Sequence, residues 1–414
     1  MRHISIRSKQ KFDLYVGTLL ALFFEFMAFV TGLVLRRNHK NVPFERILIM
    51  KFQGIGSLAC AYPSILLLKN TFPATKFIFW GSKQTVSLAR ELNVFHSILE
   101  LEESSYFASC LSLIRSLRVI WRFRPQWVFD LEIYSKLSSV LSLLTLGMNR
   151  VGFVSGTTRF RKHLHTHLYY FNKMHYVGDL YKSMLLGEVP HEVKSNMDGF
   201  TVAAEYSNYA KGLNISASLN DSRRPVIINI NSGELSSQRK WPPESFSAII
   251  NKLLDDYKFE IILTGNADES AMIDNLLAGL SNHGAGRVKN AAGLLTLREL
   301  LELLANGRLL LTNDSGPLHL AVLMGTPVVA LFGPTHPLHI LPERNEKIVA
   351  IYHNFICSPC IHVIDSLPCN GLAPCMRSIS VDEVYEKINS ILSNCPVTVS
   401  HYQSELHTKI YDRA

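Results

Sequence analysis

The sequence predicts an α/β protein with two doubly wound domains and a cleft between them, preceded by an apolar N-terminal helix. Three observations support this prediction. From residue 44 onward, short apolar segments alternate with amphipathic ones, which is typical of parallel sheets with helices on both faces. The alternation stops in a polar stretch around residues 195–224 and then restarts. The first 43 residues contain a long apolar run with basic residues on both sides.

The alternation also sets the expected domain boundaries: residues 1–43 for the N-terminal helix, 44–215 and 216–395 for the two domains, and 396–414 for a tail. Strands in the first domain are predicted at Arg46–Lys51, Thr75–Trp80, His96–Leu101, Gln126–Leu131 and Arg150–Val154, and helices at Leu58–Phe72, Lys83–Leu92, Phe107–Phe123 and Ser135–Leu146. Strands in the second are predicted at Pro225–Ile230, Phe259–Thr264, Arg308–Thr312 and Pro327–Phe332, and helices at Glu244–Tyr257, Asp268–Leu280, Thr296–Asn306, Gly316–Met324 and Val381–Leu392. The basic segment 157–176 interrupts the pattern, and Pro63 predicts a kink or a late start in its helix.

Composition limits the classes of partner. The chain has 414 residues, 47% of them hydrophobic, and a formal net charge of +8. A basic chain suits nucleic acid, an anionic membrane or a phosphorylated substrate. No basic-aromatic RNA motif and no zinc-finger helix occurs, so we expect no nucleic-acid partner. The seven cysteines are odd in number and clustered, which argues against a disulfide framework and favours a reducing compartment.

The apolar run Leu14–Leu35 is long enough to cross the hydrocarbon core of a bilayer. Its one charge, Glu25, would cost about 2.5 kcal/mol or more in mid-membrane. A helix lying in the membrane interface would avoid that cost. We therefore expect attachment to membrane lipid, either single-pass or monotopic. A buried core helix is the alternative, which the basic residues on both sides disfavour.

The strongest candidate site begins where the predicted strand Arg308–Thr312 ends. Pro317 fits the first turn of the following helix, where a missing N–H costs nothing. Gly316 allows a ligand to approach the backbone closely. Free N–H groups and the helix dipole would then form an anion site that suits a diphosphate. A simple helix cap by Asp314 or Ser315 is the alternative.

A second loop supports the ligand interpretation. Gly333 and Pro334 follow the next predicted strand, and a helix cap does not account for them. Because parallel strands end at the same edge of a sheet, the two loops are expected to form two walls of one pocket.

The segment TNDSGPLHLAVLMGTPVVALFGPTHP (Thr312–Pro337) resembles the donor-site signature of bacterial heptosyltransferases, glycosyltransferase family 9. Three further segments resemble the family: Ile47–Pro63, Ser232–Pro242 and Thr264–Asp268. The resemblance covers about residues 46–393. It implies the GT-B fold of two Rossmann-like domains, and an inverting transfer of a sugar, such as heptose, from a nucleotide-diphosphate donor to lipopolysaccharide or another cell-surface glycan. It places the protein at the cytoplasmic face of the bacterial inner membrane. The chain has no Asp-x-Asp motif, which favours a metal-independent reaction.

The resemblance assigns donor-binding roles residue by residue. The diphosphate contacts would come from Asp314, Ser315, Gly316, Pro317 and Leu318, with His319 in the same turn. Ser232 and Arg239 fall at the positions of a hydroxyl and a cationic phosphate ligand, with Lys240 adjacent. Arg239 replaces the usual lysine, which keeps the charge and adds a bidentate geometry. A solvated surface pair is the alternative for Arg239 and Lys240. Asp268 would bind the ribose, or cap a helix.

The acceptor half departs from the family pattern. The family usually has Gly-Asp after the first strand, where the aspartate is its proposed base, but this chain has Gly56 and Ser57. A serine hydroxyl is not a base near pH 7 unless a partner takes its proton. The catalytic candidates are Ser57, Asp130 and Glu132. We expect Glu132, after the fourth predicted strand, to replace the missing carboxylate, and Asp130 to be more structural than catalytic. Gly56 and Lys136 are expected to face the acceptor.

Other features leave alternatives open. Cys357, Cys360, Cys369 and Cys375 could bind a structural zinc ion, or be buried thiols or a redox pair. A solvated loop is expected for the alternating histidines His163, His165 and His167, which could otherwise face an anionic acceptor. Gly54-x-Gly56 matches a weak dinucleotide fingerprint, but residues 76–81 lack the acidic residue an oxidoreductase needs. A sugar-nucleotide epimerase or hydrolase and a catalytically silent sugar-nucleotide-binding protein are the rival functions.

Overall fold

The computed structural model describes residues 6–35, 39, 42–156, 158–190, 193, 224–232, 237–280, 286–343, 345–361 and 369–393. The chain divides into two compact units, residues 1–202 and 203–414. The predicted linker, the domain boundary at residue 215 and the tail 396–414 lie almost entirely or entirely outside the described residues.

The first unit is a six-stranded parallel sheet with helices. Its strands are β1 (Arg46–Lys51), β2 (Lys76–Ser82), β3 (Ser97–Leu101), β4 (Trp127–Asp130), β5 (Asn149–Val154) and β6 (His167–Tyr170). Its helices are α1 (Ile6–Leu35), α2 (Ile55–Thr71), α3 (Lys83–Glu91), α4 (Tyr106–Phe123), α5 (Lys136–Leu144) and α6 (Val177–Leu186). The strand order is β3-β2-β1-β4-β5-β6. Every residue of β4, and of β1 after Arg46, is buried, as expected for central strands covered on both faces.

The second unit repeats this arrangement. Its strands are β7 (Val226–Asn229), β8 (Ile261–Thr264), β9 (Val288–Asn290), β10 (Leu309–Asn313), β11 (Val328–Phe332) and β12 (Ile348–Tyr352). Its helices are α7 (Pro243–Asp256), α8 (Ser270–Ala278), α9 (Leu297–Ala305), α10 (Gly316–Met324), α11 (Pro337–Ile340), α12 (Pro374–Arg377) and α13 (Val381–Leu392). All strand pairs are parallel, in the order β12-β11-β10-β7-β8-β9.

Both sheets therefore have the doubly wound strand order 3-2-1-4-5-6, counted within each unit. The order reverses between β1 and β4 in the first unit, and between β7 and β10 in the second. Ligands of such sheets bind outside the carboxyl ends of the strands at this switch point. Both predicted sites follow these strands.

The structure differs from the sequence prediction in several elements. The segment expected to interrupt the first domain contributes β6, and the chain continues into α6. The short strands β9 and β12 were also not predicted. The predicted late start at Pro63 is wrong, because α2 begins at Ile55 and contains the proline. Within α1, the stretch Lys11–Val30 is long and apolar enough to cross a membrane.

Candidate active site

The carboxyl ends of β7 and β10 are joined by Asn313, the last residue of β10. Its Oδ1 accepts a hydrogen bond from the Trp241 backbone N–H at 3.0 Å, and its Nδ2 donates to the Ile230 backbone oxygen at 3.0 Å. The side chain is fully buried, so both bonds are costly to lose. Trp241 is anchored at its other end, where Nε1 donates to the Ile379 oxygen at 3.0 Å. These bonds hold the segment that carries Arg239 and Lys240 beside the end of β10.

Arg239 is fixed by Asp314. Its Nη1 lies 3.2 Å from Asp314 Oδ2, and its Nη2 donates to the Ser232 backbone oxygen at 2.8 Å. The Thr335 hydroxyl donates to the same Asp314 oxygen at 2.8 Å. Arg239 Nε is buried without a hydrogen-bond partner among the described residues. The guanidinium is thus held in place, and one of its N–H donors is not used by any described residue.

The N-terminus of α10 is open. Ser315 precedes the helix, but neither its side chain nor that of Asp314 caps it. The Ser315 hydroxyl instead hydrogen-bonds with the Thr312 hydroxyl at 2.9 Å. The helix-cap explanation of this turn therefore does not hold. The N–H groups of Gly316 and Leu318, with Pro317 between them, form the positive end of a nine-residue helix.

Lys240 and His319 add to this site. The Lys240 Nζ donates to the Asn231 side-chain oxygen at 3.1 Å, and the lysine is half-buried rather than a solvated surface residue. Burial lowers the pKa of His319, and although Asp314 opposes this, Arg239 lowers it further. His319 is therefore a neutral imidazole near pH 7.

Asp268 follows β8 in a short turn and is exposed. The cap of this turn is Asn266, whose backbone N–H donates to Glu269 at 2.7 Å, so the alternative role of Asp268 as a cap does not hold. Its ribose-binding role stays a prediction.

The second predicted loop packs against the cysteine-rich segment. A Cβ added at Gly333 would lie 2.7 Å from the Met376 sulfur and 2.8 Å from the Cys375 sulfur, so only glycine fits here. The Pro334 oxygen accepts a hydrogen bond from the Cys360 N–H at 3.0 Å. The loop is thus held by the segment that contains the cysteines.

Zinc binding by these cysteines is not supported. In the part of the chain that the structure describes, no group of three or more His, Cys, Asp or Glu residues could hold a metal ion. Burial raises the pKa of Cys360 and of Cys375. Cys357 and Cys369, the other members of the predicted set, are free thiols as well.

In the first unit, Glu132 joins the loops after β1 and β4. Its Oε1 accepts from the backbone N–H groups of Phe52 at 2.7 Å and Gln53 at 2.8 Å. Its Oε2 lies 3.2 Å from Lys51 Nζ, and the two side chains are 9% and 3% exposed. Burial alone would lower the pKa of Lys51, but Glu132 outweighs it and the pKa is raised. The carboxylate thus positions the loop that leads to Gly56 and Ser57.

Asp130 lies in a sealed ionic cluster. Its Oδ2 is 3.0 Å from Arg161 Nη2, 2.9 Å from the Ser138 hydroxyl and 3.3 Å from His165 Nε2. The Asp130, Arg161 and His165 side chains have no exposed surface. Burial would raise the pKa of Asp130, but Arg161 and then His165 outweigh it, so the pKa is lowered. These contacts support the structural role expected of this residue.

The three histidines do not share a solvated loop, so that expectation is wrong. His165 is buried against Asp130, and burial lowers its pKa. His163 is exposed and lies 3.6 Å from Glu25 of α1. His167 is half-buried, 3.8 Å from Glu188.

Ser57 has no basic partner among the residues that the structure describes. Its hydroxyl hydrogen-bonds to that of Tyr181, which itself donates to the Leu131 backbone oxygen at 3.2 Å. Burial raises the pKa of Tyr181, so the phenol stays protonated and cannot take a proton from serine. Gly56 is buried in the first turn of α2.

Lys136, the predicted acceptor ligand, contacts α1. Its Nζ donates to the Thr18 hydroxyl at 2.6 Å, and its backbone N–H donates to Asp13 Oδ2 at 3.1 Å. The sequence did not reveal several residues that build both sites. These residues are Lys51, Arg161, Tyr181, Asn313 and Thr335. Of these residues, only Lys51 could have been found from the sequence, because it is a lysine that ends an apolar strand.

The sequence family and fold agree with this geometry. Residues 183–370 match the model of glycosyltransferase family 9 (heptosyltransferase). Lipooligosaccharide heptosyltransferase 2 of Campylobacter jejuni is 24% identical over 339 residues, covering 81% of this chain and 96% of that protein. The chain is a glycosyltransferase that resembles family 9. The structure of E. coli ADP-heptose lps heptosyltransferase II resembles this glycosyltransferase with a TM-score of 0.64 at 17% identity, covering 84% and 99% of the two chains.

E. coli heptosyltransferase WaaC with ADP has the same fold, with a TM-score of 0.65 at 14% identity and coverage of 84% and 99%. The predicted GT-B fold and the resemblance of Thr312–Pro337 to the family signature are confirmed. The named relatives are heptosyltransferases and do not favour the epimerase or hydrolase alternative for this glycosyltransferase.

Proposed function

We propose that this glycosyltransferase transfers a heptose from ADP-heptose to the core of lipopolysaccharide, with inversion and without a metal ion. The observation that carries the proposal is the open N-terminus of α10 beside Arg239. The sugar and nucleotide are those named for relatives, lipopolysaccharide heptosyltransferases and a structure with ADP.

The donor half of the reaction follows from charge. When the sugar leaves, negative charge grows on the departing diphosphate. The backbone N–H groups of Gly316 and Leu318, the Nε of Arg239 and the nearby Lys240 would stabilise that charge with little rearrangement, because Asp314 and Asn231 already hold the two cations. Ser232 and His319 would complete the diphosphate site, with Asp268 on the ribose.

For the acceptor half we propose Glu132 as the residue that accepts the proton of the attacking hydroxyl. Asp130 has no exposed surface, and Ser57 has no basic partner in the described part of the chain, whereas the Glu132 side chain is 9% exposed. Its carboxylate uses three of about four lone-pair positions, which leaves one for the acceptor.

Donor binding and transfer are tested separately. Isothermal titration with ADP-, GDP-, UDP- and dTDP-sugars should show tightest binding for the ADP-sugar. Incubation with ADP-heptose and a heptose-deficient lipopolysaccharide core should then give a product of opposite anomeric configuration, in the presence of EDTA. Hydrolysis or isomerisation of the donor without acceptor would contradict the transfer reaction.

Glu132→Gln tests the base. It keeps the size and the hydrogen-bonding oxygen, so we expect kcat to fall about 10²- to 10⁴-fold with little change in donor affinity. Unchanged kcat would refute this role. The silent-homologue alternative predicts donor binding without turnover for the wild-type protein.

We further propose that the protein works at the cytoplasmic face of the bacterial inner membrane, on a lipid-linked acceptor. The net charge of +8 and the apolar helix α1 support this location. Cell fractionation that places the protein entirely in the soluble fraction would contradict it.

A further inference from the structure

The helix α1 is docked along the first unit. Asp13 acts as a cap for the neighbouring helix α5: its Oδ1 accepts from the Leu137 N–H at 2.7 Å and the Ser135 hydroxyl at 3.1 Å. Gly17 is buried at this contact, since an added Cβ would lie 3.3 Å from the Lys136 Cβ. One turn further, Ala21 is 2% exposed. Small residues thus let α1 approach α5 closely.

Three polar side chains of α1, those of Asp13, Thr18 and Glu25, face the domain. Thr18 accepts a hydrogen bond from Lys136 at 2.6 Å, and Glu25 lies 3.6 Å from His163. With Asp13 bound to α5, both acidic residues of Lys11–Val30 are directed toward the protein. Glu25 therefore does not incur the free-energy cost of entering lipid that is expected from the sequence.

The opposite face of α1 is apolar and exposed. Leu19 is 71% exposed and Phe26 is 65% exposed. The exposed large apolar residues of this helix are Leu14, Tyr15, Val16, Leu19, Leu22, Phe23, Phe26, Met27, Phe29 and Val30. An exposed apolar surface of this length is expected to bind a partner that removes it from water.

The helix α4 meets α1 at one end and is linked to it through α5 at the other. At the first end the rings of Phe12 and Tyr106 are 5.7 Å apart. At the second, Phe24 packs in the same cluster as Leu144 of α5, whose backbone oxygen accepts from Trp121 Nε1 at 2.8 Å. The two points are roughly 20 Å apart along each helix, at about 1.5 Å per residue. The two helices therefore run in the same direction on the same side of the first unit.

The exposed face of α4 combines apolar and basic residues. Phe107 is 80% exposed and Trp121 is 45% exposed. Leu111 and Ile114 are also exposed, and the exposed arginines of the same helix are Arg115, Arg118 and Arg122. Aromatic residues with arginines are typical of a surface that meets the headgroup region of an anionic bilayer.

We propose that the outer faces of α1 and α4 form one membrane-binding surface, on which α1 lies in the plane of an anionic bilayer instead of crossing it. A spanning α1 would carry α4 and its arginines, which are linked to it directly at Tyr106 and through α5 at Trp121, toward the hydrocarbon core. In-plane insertion places the apolar side chains below the headgroups and the arginines beside lipid phosphates. Lys136 and the loop carrying Glu132 then adjoin the membrane-bound helix, where a lipid-linked acceptor arrives.

Vesicle binding by the full-length chain tests the surface. Vesicles of phosphatidylethanolamine with phosphatidylglycerol should bind the protein more tightly than phosphatidylcholine vesicles. Leu19→Asp with Phe26→Asp should abolish binding to both. Arg118→Gln with Arg122→Gln should weaken binding to the anionic vesicles about 30-fold and leave neutral vesicles unaffected. Tyr170→Asp with Met174→Asp, exposed residues outside α1 and α4, is the matched control and should bind like wild type.

The depth of α1 and α4 in the bilayer is measured from tryptophan quenching by brominated lipids. Trp121 is the exposed native tryptophan, whereas Trp80, Trp127 and Trp241 are buried. We expect bromine near the headgroup end of the acyl chain to quench Trp121, and a Leu22→Trp variant, more than bromine near the methyl end. Quenching of Leu22→Trp that is strongest from the methyl end would show a spanning helix and overturn the proposal.

The wild-type protein could instead fail to bind vesicles and form a dimer that the double variant Leu19→Asp with Phe26→Asp dissociates. This result would identify a self-association surface and also overturn the proposal. These measurements use neither donor nor acceptor. The membrane-binding proposal can therefore be refuted while the transfer reaction is confirmed. Equally, the transfer reaction can be refuted while membrane binding is confirmed.

Discussion

Replacing Glu132 with alanine would remove the group that joins the two loops at the switch point of the first unit. Three hydrogen bonds are lost at once, from Lys51 Nζ and from the N–H groups of Phe52 and Gln53. The Lys51 ammonium, with a side chain only 3% exposed, would be left in the interior without its counter-ion.

The expected loss in the free energy of unfolding follows from these contacts. Breaking a buried ion pair by removing one partner costs about 3–5 kcal/mol. The two N–H groups lie in a partly exposed loop, so they add only about 1 kcal/mol together. The free energy of unfolding of this unit should fall by roughly 4–6 kcal/mol, which corresponds to a Tm lower by about 10–20 °C.

Differential scanning calorimetry on Glu132→Ala measures this loss. Glu100→Ala is the matched control, because Glu100 pairs with Arg90 at 3.3 Å in an ion pair whose side chains are 31% and 63% exposed. An exposed pair contributes about 0–1 kcal/mol. Adding Lys51→Met to Glu132→Ala should recover part of the loss, since no buried charge remains. If Glu132→Ala lowers the Tm no more than Glu100→Ala, the loop-positioning role is refuted.

Three further predictions concern buried groups. Because the folded pKa of Asp130 is lowered, its contribution to stability is present above its unfolded pKa and is lost as the pH falls through the folded value. The Tm difference between wild type and Asp130→Asn should therefore shrink on acidification below about pH 4. A constant difference down to about pH 3 would contradict this. The pKa of His319, lowered by burial, should appear below 6.5 in an NMR titration and rise when ADP adds negative charge nearby; a free value above 6.5 would refute the assignment. Asn313→Ala should lower the free energy of unfolding of the second unit by about 2–4 kcal/mol in urea denaturation, because it orphans two buried backbone groups, whereas a change under about 0.5 kcal/mol would show that Asn313 is not the link between β7 and β10.

The sequence predicted the central strands and most of the long helices because their apolar periods are strong, although it missed α6. The helix Gly316–Met324 has the predicted bounds, and so does Val381–Leu392. Edge strands were missed where the pattern is weak: β9 has three residues, two of them polar, and β6 begins with a histidine. Their pairing with neighbouring strands, which local sequence does not encode, decides their conformation.

The donor site was predictable because its residues are local to one strand-turn-helix segment. The acceptor side was not, because its geometry depends on distant pairs. Glu132 meets Lys51 only after the sheet forms, and Arg161 reaches Asp130 from a segment that the sequence described as an interruption. The same applies to α1, whose acidic residues find partners on α5 and at His163.

The most direct test of the donor site is isothermal titration of ADP, AMP and adenosine into the wild-type protein and Arg239→Ala. We predict that ADP binds more tightly than AMP or adenosine, because the second phosphate meets the N-terminus of α10 and Arg239. Arg239→Ala should weaken ADP binding about 10- to 100-fold and leave adenosine binding unchanged, as for the loss of a charge-assisted hydrogen bond. Equal affinities for ADP and adenosine, or ADP binding that is unaffected in Arg239→Ala, would contradict it.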